Sequence, residues 1–166
     1  MTGMSEMASR PGPTVRTDVV DVYVFCREGG RARYLQILRA REPMLGTWHP
    51  VMGHVEAGES AIATARREAR EELGLDVDSA LGFWALEETF PFYLPARDAV
   101  MMSPRFVVEV RSGWEPVLNA EHSDARWVAG EESDWLWPGQ ASCVRAIVRD
   151  ILPGGARCEA LRVRAG

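Results

Sequence analysis

The chain has 166 residues, 46% hydrophobic and 26% charged, which is the composition of one globular domain large enough to bury a core. No apolar run approaches the roughly 18–20 residues of a membrane helix, and a net charge of −5 argues against a nucleic-acid-binding surface. Three widely spaced cysteines (Cys26, Cys143 and Cys158) suggest neither a disulfide framework nor a zinc site and fit a reducing, cytoplasmic setting.

Residues 1–16 lack the apolar core of a signal peptide and read as a disordered leader to a domain spanning 17–152. Residues 17–27 are rich in β-branched and aromatic side chains and predict a strand; 28–31 is a turn, and 33–39 pairs back as a hairpin. A short extended piece over 44–52 leads into a glycine-punctuated loop, followed by a helix from near Ser60 to Leu73 with Gly74 as its left-handed cap. Further strands are expected at 80–89 and 100–111, separated by a proline-containing loop over 91–98, with a short strand at 125–128. Pro138 opens a last helix to about residue 152, with Val144, Ile147, Val148 and Ile151 on its buried face. Residues 153–166 read as a mobile tail or a final short strand. A mixed sheet flanked by helices, an α+β arrangement, is the expected fold class.

The chemistry concentrates between Gly53 and Leu75. Glu56 and Glu59 sit in the glycine loop, while spacings of three and four place Glu68, Glu71 and Glu72 on one helical face. Like charges so spaced repel by about a few tenths of a kcal/mol per pair. A hard divalent cation removes that penalty, because Mg²⁺ takes oxygen ligands and is shared between carboxylates and substrate phosphates. The bland alternative, a solvated acidic helix face, explains neither the glycines nor the order of the charges.

This stretch resembles the Nudix box, G-x5-E-x7-R-E-U-x-E-E-x-G-U with U apolar. Gly53, Glu59, Arg67, Glu68, Ala69, Glu71, Glu72, Gly74 and Leu75 fill every specified position. The resemblance implies an α/β/α sandwich with a mixed central sheet, and hydrolysis of a phosphoanhydride by water with Mg²⁺, for which Mn²⁺ can substitute. It implies Glu71 and Glu72 as the main metal ligands, Glu68 as a further ligand or general base, Arg67 as the residue orienting a carboxylate, and the Met52 carbonyl as a backbone ligand. Glu59 suits the helix start and reads as structural.

Beyond the box, Glu121-His122 with Arg126-Trp127 resembles an E-H-x3-R-W element of some family members, in which the glutamate approaches the metals. Glu121 is thus a candidate ligand or base, against the alternative of a loop acid capping the next turn. If Glu121 is neither, the base is sought among Glu56, Glu68, Glu87 and Glu88. His122 either bonds a phosphate or braces the loop, and Trp127 reads as core.

The run Trp48-x-Pro-Val-x-Gly-His54-Val-Glu56 departs from the Pro-Gly-Gly-Lys pattern of members that sanitise oxidised nucleotides. It looks closer to dihydroneopterin triphosphate and dATP pyrophosphohydrolases. Trp48, His54 and Glu56 are therefore candidate substrate contacts. Arg39 and Arg41, at the end of the second strand, are either phosphate contacts or ordinary exposed arginines. All 19 basic residues are arginine, which codon usage explains more simply than phosphate binding.

The resulting expectation is a cytoplasmic, Mg²⁺-dependent pyrophosphohydrolase acting on a nucleoside or pterin triphosphate. Hydrolysis of dinucleoside polyphosphates, nucleotide sugars or ADP-ribose is the alternative within the class, and a non-catalytic nucleotide sensor the alternative outside it. No membrane or nucleic-acid partner is expected, and a homodimer is compatible with the chain. Trp48, Phe83, Trp84, Phe92, Tyr93, Trp135 and Trp137 are the candidate ring-stacking residues.

Overall fold

Strand β2 (Val19–Glu28) is where sequence pattern and architecture meet in the computed structural model, which describes residues 12–130 and 138–164. Its inner residues are buried on both sides, as expected of a strand covered on two faces. Val20, Val22, Val24 and Cys26 point to one cluster; Tyr23 and Phe25 point to another across the sheet. Around β2 runs a mixed seven-stranded sheet. It comprises β3 (Arg31–Arg39), β4 (Trp48–His49), β5 (Val51–His54), β6 (Gly82–Ala85), β9 (Arg105–Glu109) and β10 (His122–Val128). The order is β10-β3-β2-β9-β6, with β4 on β3 and β5 on β2; β2 and β9 are parallel and the other pairs antiparallel. A smaller sheet, β1-β8-β7, joins β1 (Thr14–Arg16), β7 (Phe92–Leu94) and β8 (Ala99–Met101).

Helix α1 (Ala61–Leu73) covers one face of the main sheet. Ala65, Ala69 and Leu73 are fully buried against β2, and the small alanines let the helix sit close. Ser60 caps its start, accepting from the Ala63 amide at 3.2 Å. Gly74 ends it at φ 65°, donating to Arg70, while Leu75 bonds back to Ala69. On the other face lie α2 (Pro138–Ala146), a π-helical turn over Ile147–Ile151 and α3 (Gly155–Leu161), bringing Cys143, Ile147, Ile151, Cys158 and Leu161 onto Tyr23, Phe25 and Trp84. The architecture is therefore α+β, a mixed sheet between helical layers.

Several expectations are corrected. Residues 14–16, expected in the leader, form β1 parallel to β8. The proline-containing loop over 91–98 holds β7 and a 3₁₀ turn at Pro95–Arg97. The strand expected at 80–89 shortens to β6. The one expected at 100–111 divides at Met102-Ser103-Pro104 into β8 and β9, because proline cannot donate to a central ladder. The π turn shifts the angular register of the last helix, so Val148 is 52% exposed instead of buried. The expected tail carries α3, anchored by the Val163 amide donating to Phe83 at 2.8 Å. Among the described residues no helix is long and apolar enough to cross a membrane.

Candidate active site

Close contact between β5 and α1 organises the site. A β-carbon on Gly53 would lie 1.9 Å from Glu68 Cδ, so only glycine leaves room for that carboxyl. Arg67 then ties the helix to the loop. Its Nε and Nη2 donate to the two oxygens of Glu59 (2.9 and 3.0 Å). Nη1 reaches Glu68 (2.7 Å) and Glu71 (3.3 Å), and Nη2 also meets the His54 carbonyl (2.9 Å). Glu59 is consequently held down to about 2 by the Arg67 guanidinium and the Thr64 hydroxyl. It also accepts from the Glu56 amide, so its role here is to brace loop and helix.

Glu72 is nearly inaccessible, at 3% exposure. Burial first, then the charges of Glu68 and Glu121, push its carboxyl up to about 9. Burial also raises Glu68. Glu72 Oε2 has no hydrogen-bond partner among the described residues, and His122 Nε2 stands 3.9 Å away, also unpartnered. His122 is pushed down to about 4, chiefly by burial, so it is neutral near pH 7 and supplies no counter-charge. It packs on His49, whose ring centroid is 5.3 Å away and whose pKa burial also lowers. A divalent cation fits this set. It favours the ionised carboxyls that burial disfavours, and it occupies the unpaired oxygen. The described carboxylates and imidazoles do not already converge into a three-ligand cage; the fit rests on charge and on the free oxygen.

Glu121 reaches the same cavity from the turn before β10. Arg39 Nη1 donates to it, and its amide donates to Asn119 Oδ1 at 3.0 Å. Asn119, and not Glu121, therefore supplies the side-chain cap of this turn. The cavity is about 850 Å³ and its wall includes Glu56, Arg67, Glu68, Glu71, Glu72 and Glu121. Met52, His54 and Arg39 also line it.

Other candidates lie elsewhere. Arg41 is exposed and outside the wall. Trp48 is also outside it, packed beneath Arg126, whose guanidinium carbon stands 4.1 Å from the ring centroid. Glu87 and Glu88 pair with Arg157 (3.9 Å) and Arg149 (2.9 Å), away from the cavity. Among the aromatics Phe92 lines the cavity. Phe83 and Trp84 are core, Tyr93 is exposed and donates to Asp98, and Trp135 and Trp137 fall outside the described residues. Sequence reading missed Asp21, His49, Ser103, Arg105 and Gln140, all buried in the cavity wall. Asp21 carried a signal, as an acid inside an otherwise apolar strand.

Comparison with known proteins identifies the family. The NUDIX domain family model matches residues 15–147. An octanoyltransferase from Myxococcus xanthus is 36% identical over 129 residues, covering 75% of this chain; the chain spans about a third of that protein's length (33%). The asymmetrical bis(5'-nucleosyl)-tetraphosphatase of Sus scrofa is 34% identical over 115 residues, covering 62% of this chain and 68% of that protein. Among solved structures, the dihydroneopterin triphosphate pyrophosphohydrolase of E. coli superposes with a TM-score of 0.63. It is 19% identical, covers 84% of this chain and 99% of its own, and shows the shared fold.

Proposed function

The chain belongs to the Nudix family of hydrolases, and on that premise we propose that it hydrolyses a phosphoanhydride in a nucleoside or pterin triphosphate, with Mg²⁺, releasing pyrophosphate. The observation that carries this reading is Glu72: a buried carboxyl with an unpaired oxygen, beside Glu68 and Glu121, in the wall of a cavity large enough for a nucleotide. Glu68, Glu71 and Glu72, with the Met52 carbonyl, would hold the ion, and such an all-oxygen donor set would favour Mg²⁺, with Mn²⁺ as a substitute. When bound, the ion neutralises charge on the phosphate oxygens and makes a bound water more acidic.

The chain's own residues do the rest. Arg67 fixes Glu68 and Glu71 through its fork of donors. Glu121, 43% exposed and oriented by Arg39, takes the proton from the attacking water. Arg39 then stands beside the cavity's acids and contacts a phosphate oxygen. The three cysteines are free and buried, in keeping with a reducing, cytoplasmic compartment.

A second reading, hydrolysis of a dinucleoside polyphosphate, is favoured by the 34% identity to the tetraphosphatase. A panel of nucleoside triphosphates, a pterin triphosphate, dinucleoside tetraphosphates and ADP-ribose, turned over in ¹⁸O-labelled water, tests both. A monophosphate and pyrophosphate, one of them labelled, support the first reading. Cleavage of the dinucleotide alone supports the second, and orthophosphate as the primary product overturns the pyrophosphate-releasing reading.

A further inference from the structure

The box chemistry occupies one side of the cavity and leaves a second side unexplained. Met52 and Gly53 are consecutive residues of β5 and face opposite ways. Gly53 meets Glu68 on the α1 side. Met52 stands in register with Asp21 of β2, which is itself in register with Arg105 of β9, on the face away from α1. Asp21 lines the cavity yet is only 6% exposed, and no described residue hydrogen-bonds its carboxyl. A buried carboxylate without donors is costly, so its presence in a cavity wall asks for donors from what the cavity binds.

Arg105 does not supply them. Its Nη1 donates to the Ser142 hydroxyl and its Nη2 to the Gly139 carbonyl, both at 2.8 Å. It therefore acts on Asp21 by charge alone, only partly offsetting the burial that raises this carboxyl to about 7, and leaves both oxygens open to a ligand. Val19, Phe92, Leu94 and Met101 give this side an apolar lining in which a flat ring is desolvated.

Resting on the nucleotide reading above, we infer that Asp21 is the ring-recognition residue of the cavity. It selects a heterocycle whose edge offers two adjacent N–H donors, as guanine and pterins do. Ionised, as it is above about pH 7 and as two facing N–H donors favour, the carboxyl only accepts, so it pairs with a ring N–H and a neighbouring amino group. Adenine offers one donor and one acceptor at the corresponding edge, and its ring nitrogen would face a carboxylate oxygen. The phosphates then run from this pocket past Met52 to the acids of α1.

Binding decides the matter without turnover. GMP, IMP and AMP have no anhydride bond, and their dissociation constants are measured calorimetrically in Mg²⁺ at about pH 8, where Asp21 is ionised, for the full chain and for Asp21→Asn. The wild type should bind GMP roughly tenfold or more tighter than IMP, which lacks the amino donor, and tighter than AMP by at least as much. Asp21→Asn, with one acceptor and one donor, should abolish or invert the preference for GMP over AMP. Equal binding of the three by the wild type, or an unchanged GMP-to-AMP ratio in the variant, overturns the inference. If the variant does not fold, the wild-type GMP-to-IMP ratio decides alone. Triphosphate turnover is followed on the same wild-type protein. Turnover without a GMP preference sinks the ring assignment only, and a GMP preference without turnover sinks the hydrolysis only.

Discussion

Replacing Gly53 with alanine isolates the steric basis of the site. The new β-carbon would stand 1.9 Å from Glu68 Cδ, 2.0 Å from Oε1 and 2.2 Å from Cγ, where ordinary contact begins at 3.4 Å. Glu68 must therefore retreat by about 1.5 Å, and displacements of this order cost roughly 100-fold in rate when they misplace a reacting group. The backbone itself tolerates alanine, because φ at Gly53 is outside the left-handed region. Overpacking costs about 1–3 kcal/mol, partly offset by about 0.4–1 kcal/mol from the stiffer unfolded chain. Since Arg67 holds Glu68 at 2.7 Å, the shift propagates into the Glu59 and Glu71 contacts as well. The expected result is a folded protein, modestly destabilised in thermal unfolding, whose Mg²⁺-dependent turnover is lower by about 100-fold or more. Wild-type turnover in a folded Gly53→Ala protein would refute the claim that the Gly53–Glu68 contact sets the site.

Three further outcomes follow from the same geometry. Glu72, raised to about 9, keeps a proton when folded that the unfolded chain has already lost, and His49 and His122 are neutral above their ordinary 6.5. Above the Asp21 titration near 7, the stability of the metal-free protein should therefore fall as pH rises from about 7.5 toward 9, by up to about 1.4 kcal/mol per pH unit. Glu72→Gln, compared by urea unfolding, should lack the slope, and a flat wild-type profile contradicts the assignment. Arg67→Lys cannot serve both oxygens of Glu59 together with Glu68, Glu71 and the His54 carbonyl. It should lose about 1–3 kcal/mol of stability and at least tenfold in turnover, and retention of both would remove Arg67 as the organiser. Glu121→Gln should lower turnover at least ~100-fold with an unchanged Mg²⁺ response if Glu121 is the base. A raised Mg²⁺ requirement instead makes it a ligand, and no change in either leaves it only a partner of Arg39.

What sequence made legible was what local chemistry determines. Helix α1 has its cap at Ser60, its stop at Gly74 and its acids at spacings of three and four, so its limits and its charged face follow from neighbours in the chain. The hairpin of β2 and β3 is equally local, turning at Gly29 and Gly30. The cavity's second side was not legible, because it depends on register between distant strands. Asp21 meets Arg105 across 84 positions only through the parallel β2–β9 pairing. Trp48 likewise takes its place from strand pairing: β4 lies on β3 and sets it under Arg126, outside the cavity wall. The last helix kept its place, but the π turn moved Val148 into solvent, a change of register that a 3.6-residue pattern does not encode.

The central claim is that the acids of α1 form a metal site that breaks a phosphoanhydride, and metal-dependent turnover tests it most directly. The purified chain is assayed on the nucleotide panel with Mg²⁺, after chelation, and after Mg²⁺ is restored, with Glu72→Gln in parallel. The account predicts turnover that vanishes on chelation, returns with the ion, and is lower by orders of magnitude in the variant, each 1.36 kcal/mol of lost stabilisation being tenfold in rate. Turnover that survives chelation, equal rates in wild type and variant, or no cleavage of any panel member at any Mg²⁺ concentration would contradict it.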